Sequence, residues 1–225
     1  MNPNNKDDNK TYRTEYRHKY IQSYYIGWLH LLFTLSFSTG IVIWSIAQLE
    51  DVTLWQYTAI PVVFLYANLV EYFAHKGPMH KPKVGLKLIY KRHATQHHIF
   101  FTHNAMQFDS SRDFKAVLFP PILIVFFFGL FALPVGLLSG WMFSDNVQFL
   151  FIATALSYFA IYEVLHTLYH INEKSWVYRI PFLKAMRNLH QNHHDVSLMS
   201  HYNFNITFPI GDLLFGTYYS NKSEE

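Results

Sequence analysis

The sequence predicts an all-α fold: an integral membrane bundle of four transmembrane helices with a cytoplasmic, histidine-rich helical cap. Three observations lead to this fold class. The 225-residue chain contains four long apolar stretches, and its 18 lysines and arginines are confined to three of the five segments outside these stretches. Most of its 14 histidines are clustered. Charged residues make up only 15% of the chain, whereas they approach a quarter of a typical soluble domain.

Each apolar stretch is long enough to cross a membrane. The stretches span residues 24–47, 54–74, 116–138 and 147–169. Roughly 20 helical residues cross a hydrocarbon core about 30 Å thick, and a soluble protein would have to bury all four stretches in a short chain. Pro120, Pro121 and Pro134 lie within the third stretch, and they predict a kink there or a split into a re-entrant pair.

The distribution of cations predicts the orientation in the membrane. Every Lys and Arg lies before the first stretch, between the second and third, or after the fourth. The two remaining loops, residues 48–53 and 139–146, contain none. Because cytoplasmic loops carry an excess of Lys and Arg, we expect both termini in the cytoplasm and the chain in a bacterial inner membrane or the endoplasmic reticulum membrane.

Three segments are expected along the chain. Residues 1–23 would form a polar tail with an interfacial helix around residues 12–25, residues 24–218 the membrane domain, and residues 219–225 a C-terminal tail. The polar start is not expected to be a signal peptide, because no apolar core follows it.

Composition also excludes several functions. The absence of Cys rules out disulfides, thiolate zinc sites and Cys-ligated iron–sulfur clusters. A formal charge of +3 is too small to suggest a nucleic-acid partner.

Most of the histidines are grouped at or beyond the inner ends of the second and fourth stretches. These are His75, His80, His93, His97, His98, His103, His166, His170, His190, His193, His194 and His201. We expect His18 to be a solvated tail residue and His30 a hydrogen-bonded helix residue. A single histidine is most simply a satisfied surface residue, but four groups on one side of the membrane predict metal ligands.

The spacing within the groups suggests how they would bind metal. Residues three or four apart share a face of an α-helix. By this rule three sets share a face: His93 with His97, His166 with His170, and His190 with His193 and His194. Gly77-Pro78 would end a helix and turn His80 back toward His75. Ten imidazoles are too many for one ion and suit two metals with four or five ligands each, and imidazole suits iron, copper, zinc and nickel.

Two other kinds of metal protein fit less well. Haem ligands would lie one per helix within the apolar spans, and a metal transporter would place ionisable residues along a path through the bilayer. Here the histidines lie at the ends of the spans, and the outer halves of the spans are almost purely apolar.

Three carboxylates lie close to predicted ligands in the sequence. Glu71 and Glu163 precede His75 and His166 by four and three residues, and Asp195 directly follows His194. Each could accept a hydrogen bond from the second ring nitrogen of a ligand histidine. The alternative for Glu71 and Glu163 is that they are membrane-edge carboxylates paired with nearby cations.

The order of these motifs resembles a known family. The motifs are Glu-Tyr-Phe-Ala-His at 71–75 with His80, His-Ala-Thr-Gln-His-His at 93–98, Phe-Asp-Ser-Ser-Arg at 108–112 before Phe-Pro-Pro at 119–121, Tyr-Glu-Val-Leu-His at 162–166 with His170, His-Gln-Asn-His-His at 190–194, and Asn-Phe-Asn-Ile-Thr at 203–207 running to Asp-Leu-Leu-Phe-Gly-Thr at 212–217. Over roughly residues 60–218 the chain resembles the fatty acid hydroxylase / sterol desaturase superfamily of membrane di-iron oxygenases.

The resemblance implies a metal centre with named ligands. These are His75, His80, His93, His97, His98, His166, His170, His190, His193 and His194. The centre would hold two iron ions, with zinc able to replace iron in purified samples. His103 and His201 fall outside the motifs and are candidates for supporting the ligands or facing the substrate.

The resemblance also implies a reaction. O₂ would be the co-substrate, and oxygen would be inserted into a C–H bond of a membrane lipid of fatty acyl, sphingolipid or sterol type. An acyl or isoprenoid chain would enter laterally from the membrane. The alternatives are a carotenoid hydroxylase or lipid desaturase of the same superfamily, or a non-catalytic membrane metal-binding protein.

Such a reaction needs electrons from elsewhere. We expect a separate ferredoxin-like or cytochrome b5-like protein to supply them. The cations near the histidines are a suitable landing site for an acidic partner; these are Lys81, Lys83, Lys87, Lys91 and Arg92. The alternative is that these cations only enforce topology and contact lipid phosphates.

Overall fold

The computed structural model describes residues 6–220, which contain helices and no β-strand. The α-helices are α1 (Lys6–Tyr20), α2 (Gly27–Ala47), α3 (Ala59–Ala74), α4 (Lys87–Tyr90), α5 (His98–Phe100), α6 (Phe114–Val117), α7 (Pro121–Phe127), α8 (Leu133–Met142), α9 (Asp145–Tyr169), α10 (Pro181–His193) and α11 (Ile210–Leu214). Three π-helical turns follow α3, α4 and α7, at His75–Met79, Lys91–His97 and Phe128–Ala132. Single 3₁₀ turns lie at Leu54–Thr58, Ser111–Asp113 and Trp176–Arg179.

Four helical segments are long and apolar enough to cross a membrane, which confirms the predicted fold class. They are Gly27–Ala47, Leu54–Met79, Ser111–Met142 and Asp145–Tyr169. The third is interrupted, as its prolines predict. Helix α6 ends at Val117, α7 begins at Pro121, and the π turn that follows α7 ends two residues before Pro134, which cannot donate a hydrogen bond to the carbonyl group four residues earlier.

The chain divides into two compact units. One, the membrane unit, comprises Trp28–Ala67 and Leu118–Val164. The other, the histidine unit, comprises the described residues up to Gly27, Asn68–Val117, and the described residues from Leu165 onward.

Helix α9 forms the centre of the membrane unit. The most apolar part of this helix is 56% buried, whereas the corresponding parts of the other three spans are only 22–28% buried. Phe151, Ile152 and Leu156 of α9 pack with Val63 and Ala132. Outward-facing side chains of the unit are large and apolar, such as Trp28, Leu32 and Trp44, and such a surface suits lipid tails better than water.

The two loops without cations are joined to each other within the membrane unit. The Glu50 N–H donates to the Asn146 side chain at 3.0 Å, and Asn146 Nδ2 donates to the Glu50 carbonyl at 2.6 Å. Gln56 Nε2 donates to Ser144 Oγ at 2.8 Å. The two loops therefore lie at one end of the bundle, as a topology with both loops on one side of the membrane requires.

The break before α7 is stabilised by side chains of the membrane unit. His30 Nε2 donates to the Phe119 carbonyl at 2.9 Å, and the Phe119 N–H donates to Glu163 Oε1 at 3.4 Å. A backbone group left without a partner inside a membrane costs several kcal/mol. His30 is thus the hydrogen-bonded helix residue that the sequence predicts.

Helix α1 differs from the predicted polar tail. It begins at Lys6 rather than near residue 12, and it is packed into the histidine unit, of which it is a part. Asn9, Arg13 and Tyr16 are buried, and Tyr16 packs with Phe100 and Phe101. These side chains recur every three to four residues and form one face, whereas His18 is exposed as expected. Residues 1–5 and 221–225 of the predicted tails lie outside the described residues.

Candidate metal centre

The ten histidines implied as ligands come together in the histidine unit as two groups. The first group consists of His75, His80, His93, His98 and His193, with one nitrogen of each ring within 4.8 Å of the others. The second group contains His97, His170, His190 and His194 under the same limit. His166 lies beside the second group, with its Nε2 3.1 Å from Nε2 of His97, and we include it there.

Histidines that are adjacent in the sequence belong to different groups. His97 is in the second group and His98 in the first, and His193 is in the first and His194 in the second. Successive residues of an α-helix project about 100° apart, so one helix can supply ligands to two neighbouring sites. Each adjacent His-His pair therefore contributes to both groups.

The π turn at Lys91–His97 brings His93 next to His98. Its i→i+5 hydrogen bonds bring residues five apart onto one face, and Nε2 of His93 lies 3.0 Å from Nε2 of His98. The rings of His93 and His97 also stack, with centroids 5.3 Å apart, as residues on one face would, but His93 belongs to the first group and His97 to the second. In the α-helical segments, His166 and His170 lie together in the second group, as do His190 and His194. His193 belongs to the first group instead.

Backbone carbonyl groups orient half of the ligand rings. Nδ1 of His75 donates to Phe204, His193 to Tyr202 at 2.9 Å, His97 to Ala116 at 2.9 Å, His170 to Met106 at 2.7 Å and His194 to Phe101 at 2.5 Å. A carbonyl oxygen only accepts, so each Nδ1 carries the proton. In a neutral ring the lone pair is then on Nε2, the atom that faces the other imidazoles.

Burial keeps these rings neutral. It lowers the pKa of His97 to about 3 and that of His193 to about 4. Burial and then neighbouring imidazoles lower the pKa of His93, His98 and His190 well below 6.5. The rings are therefore in the form that binds metal at neutral pH.

The arrangement of nitrogens fits two metal ions. Nε2 atoms of neighbouring rings lie 2.7–3.1 Å apart. In all of these pairs except His93–His98, one ring donates its Nδ1–H to a carbonyl group and so holds its lone pair on Nε2, where a cation would be bound. In His98 and His190 the Nε2 atom faces the other imidazoles, and the buried Nδ1 atom has no hydrogen-bond partner among the described residues. A donor set of imidazoles alone suits iron, copper, zinc or nickel.

The carboxylates have different partners from those expected. Glu71 accepts hydrogen bonds from the N–H of Ile206 and from the N–H and hydroxyl of Thr207, the latter two at 3.1 and 2.7 Å. The expected pairing of Glu71 with His75 is not formed. The second ring nitrogen of His75 donates to the backbone carbonyl of Phe204 instead. Glu71 instead fixes the segment that carries this carbonyl.

Asp195 and Glu163 also have other partners. Asp195 accepts from the N–H and hydroxyl of Ser197 at 2.8 and 2.6 Å, hydrogen bonds that lower the pKa of its carboxyl group. The expected pairing with His194 is not formed, because that ring donates to Phe101. Glu163 contacts Phe119 in the membrane unit, as described above.

His103 and His201 join neither group. Nδ1 of His103 donates to the Gln191 carbonyl at 3.0 Å, and Gln191 Nε2 donates to the His103 carbonyl at 3.0 Å. His103 therefore ties its loop to α10 in support of the ligands on that helix. His201 is exposed.

Asp212 is a supporting residue that the sequence does not single out as one. It is 1% exposed and accepts the N–H groups of Phe204 and Asn205 at 2.9 and 2.8 Å and the Thr217 hydroxyl at 2.7 Å. Burial raises the pKa of its carboxyl group and the hydrogen bonds oppose the rise. Its position in the motif at 212–217 is the sequence signal that could have found it.

Comparisons with known proteins agree with this architecture. A model of the fatty acid hydroxylase family matches residues 60–217. The structure described as full-length Scs7p, with only its hydroxylase domain visible, has a similar fold: the TM-score is 0.61 at 18% identity, over 88% of this chain and 68% of that chain. None of the curated proteins compared with the chain matches it. Because the family match covers more than half of its length, the chain belongs to the fatty acid hydroxylase family.

Proposed function

We propose that the chain is a membrane di-iron oxygenase that hydroxylates a C–H bond of a lipid with O₂ and external electrons. The observation that carries the proposal is the pair of adjoining groups of buried, neutral imidazoles. Membership of the fatty acid hydroxylase family supports a lipid as the substrate. The four apolar spans support a substrate drawn from the membrane.

In this proposal the protein supplies a rigid and dry set of ligands. Two iron ions, one at each group, would supply the activation of O₂. The carbonyl groups of Phe204 and Tyr202 orient rings of the first group, and those of Phe101, Met106 and Ala116 orient rings of the second. Such second-ring hydrogen bonds fix the tautomer and the direction of a metal ligand.

We propose that the electrons come from a separate ferredoxin-like or cytochrome b5-like protein. Lys81, Lys83 and Lys87 are exposed, as is Lys91, and they follow His80, the one member of the first group that is not fully buried. An acidic partner would be attracted to this surface. Arg92 does not belong to it, because its guanidinium donates to Tyr16, Gln96 and the Lys115 carbonyl inside the histidine unit.

Reconstitution with Fe²⁺, O₂ and a reducing system, followed by lipid mass spectrometry, tests the proposal. We expect a lipid product with one added oxygen atom, labelled when ¹⁸O₂ is used. His98→Ala should abolish this product, whereas the matched control His201→Ala should retain it because His201 is exposed and outside both groups.

The same experiment separates the alternatives. Loss of two hydrogen atoms without added oxygen would favour a desaturase, and product only from carotenoids would favour a carotenoid hydroxylase. Metal binding with no product from any lipid class would leave a non-catalytic metal-binding protein and overturn the oxygenase proposal.

A further inference from the structure

Helix α1 lies before the residues matched by the family model, and one of its cations is buried against the loop of residues 100–107. Arg13 is 6% exposed. Its Nε donates to the Phe100 carbonyl at 2.8 Å, Nη1 to Gln107 at 2.9 Å, and Nη2 to Ala105. A guanidinium holds its five N–H donors in a rigid plane, so Arg13 fixes the two ends of this loop relative to each other.

The same loop orients two rings of the second group. The Phe101 carbonyl accepts Nδ1–H of His194 at 2.5 Å, and the Met106 carbonyl accepts Nδ1–H of His170 at 2.7 Å. Met106 lies between the two residues whose carbonyls Arg13 binds at the far end of the loop. Furthermore, the ring of Phe101 packs on the ring of His170 with centroids 4.1 Å apart, and the Arg13 guanidinium lies 5.3 Å from the Phe101 centroid.

A different segment orients the first group. The Phe204 and Tyr202 carbonyls accept hydrogen bonds from His75 and His193, and Asp212 holds the Phe204 peptide through its N–H. Arg13 and Asp212 are therefore a matched pair. Each is a buried charged residue outside both groups, and each holds backbone whose carbonyl oxygens orient rings of one group.

We propose that Arg13 is a positioning residue for the second group: by fixing the loop of residues 100–107, it sets the tautomer and direction of His170 and His194 and so the affinity for the metal ion bound there. The inference rests on the proposed metal centre. Loss of such a supporting partner typically weakens metal binding about 10- to 100-fold. Here the weakening is confined to one of two ions.

Zn²⁺ titration of the purified full chain against a competing chelator tests this inference. We expect wild type to bind two ions. Arg13→Lys keeps the charge, but one ammonium group cannot span three carbonyls, so one ion should bind about 10- to 100-fold more weakly. Asp212→Asn should also weaken one ion, and the exposed-residue control Lys10→Ala should weaken neither.

Double variants show which ion is affected. With His194→Ala, which removes a second-group ligand, Arg13→Lys should leave binding of the remaining ion unchanged. With His98→Ala, which removes a first-group ligand, Arg13→Lys should weaken the remaining ion. Asp212→Asn should give the reverse pattern. Helical circular dichroism and a monodisperse elution profile check folding, and Arg13→Gln replaces Arg13→Lys if the latter does not fold.

The outcomes are distinguishable. An Arg13→Lys protein that binds both ions like wild type, or that weakens both equally, overturns the inference while the metal centre stands. Wild type that binds fewer than two ions overturns the metal centre, and this inference with it.

Discussion

The rings of His98 and His194 lie 4.3 Å apart at 26° to each other, although His98 belongs to the first group and His194 to the second. This stacked contact joins the two groups. The sequence neighbours of these residues, His97 and His193, belong to the opposite groups. The two histidine groups are therefore interleaved along both histidine pairs and do not lie on separate segments.

Interleaving predicts that adjacent histidines act on different ions. His97→Ala and His98→Ala should each remove one of two bound ions and abolish turnover, because each leaves a group without one ligand. The variant carrying both changes should bind no ion, whereas His93→Ala with His98→Ala should still bind one. Elemental analysis of metal per chain measures this. If the two double variants bind equal amounts of metal, the assignment to groups is wrong.

The metal-free protein should lose stability as the pH falls from about 6.5 to 4. The unfolded chain protonates its histidines near pH 6.5, but in the folded protein the pKa is about 3 for His97 and about 4 for His193. The unfolded state thus binds more protons in this pH range. Each such histidine therefore lowers the free energy of unfolding by about 1.4 kcal/mol for each pH unit. Unfolding followed by tryptophan fluorescence at pH 5 and pH 7 measures the difference. His97→Gln combined with His193→Gln should reduce the slope, and an unchanged slope would contradict the assignment.

The positive-inside distribution predicts which residues face the cytoplasm. The chain has no cysteine, so single cysteines report topology directly. Both Asp145 and Lys83 are exposed. A membrane-impermeant maleimide should label Asp145→Cys in intact cells and Lys83→Cys only after permeabilisation. Labelling in the opposite order would reverse the proposed orientation.

Close packing at the start of α2 predicts a sensitive glycine. A Cβ atom at Gly27 would lie directly against the backbone carbonyl of Ser111, whereas one at Gly40 of the same helix would meet no atom within 4 Å. Gly27→Ala should therefore destabilise the protein by about 1–3 kcal/mol, and Gly40→Ala should not. Thermal unfolding midpoints in detergent compare them, and equal midpoints would refute the contact.

Much of the fold follows from local properties of the sequence. The lengths of the apolar stretches predict the four spans, and the prolines predict the interruption before α7. The motifs locate the ten histidines that the structure brings together in the two groups. Each of these properties depends on residues within one or two helical turns, so no knowledge of distant contacts is needed.

Tertiary structure alone decided how the ten histidines are divided. The π turn that places His93 beside His98 has no clear signal in the sequence, because residue identities near it suit an α-helix equally well. The partner of the second nitrogen of His75 is a carbonyl 129 positions away at Phe204. Every residue type carries a carbonyl group, so composition cannot identify such a partner.

The role of α1 was hidden for the same reason. Its polar sequence predicts a tail, and Arg13 resembles any other cation of a positive-inside segment. Only the fold places Arg13 against the carbonyl groups of residues 100–107. The sequence by itself determined that this protein crosses the membrane and concentrates imidazoles at one end of its spans. The tertiary structure decided which imidazoles form each group, because that division depends on hydrogen bonds between segments far apart in the chain.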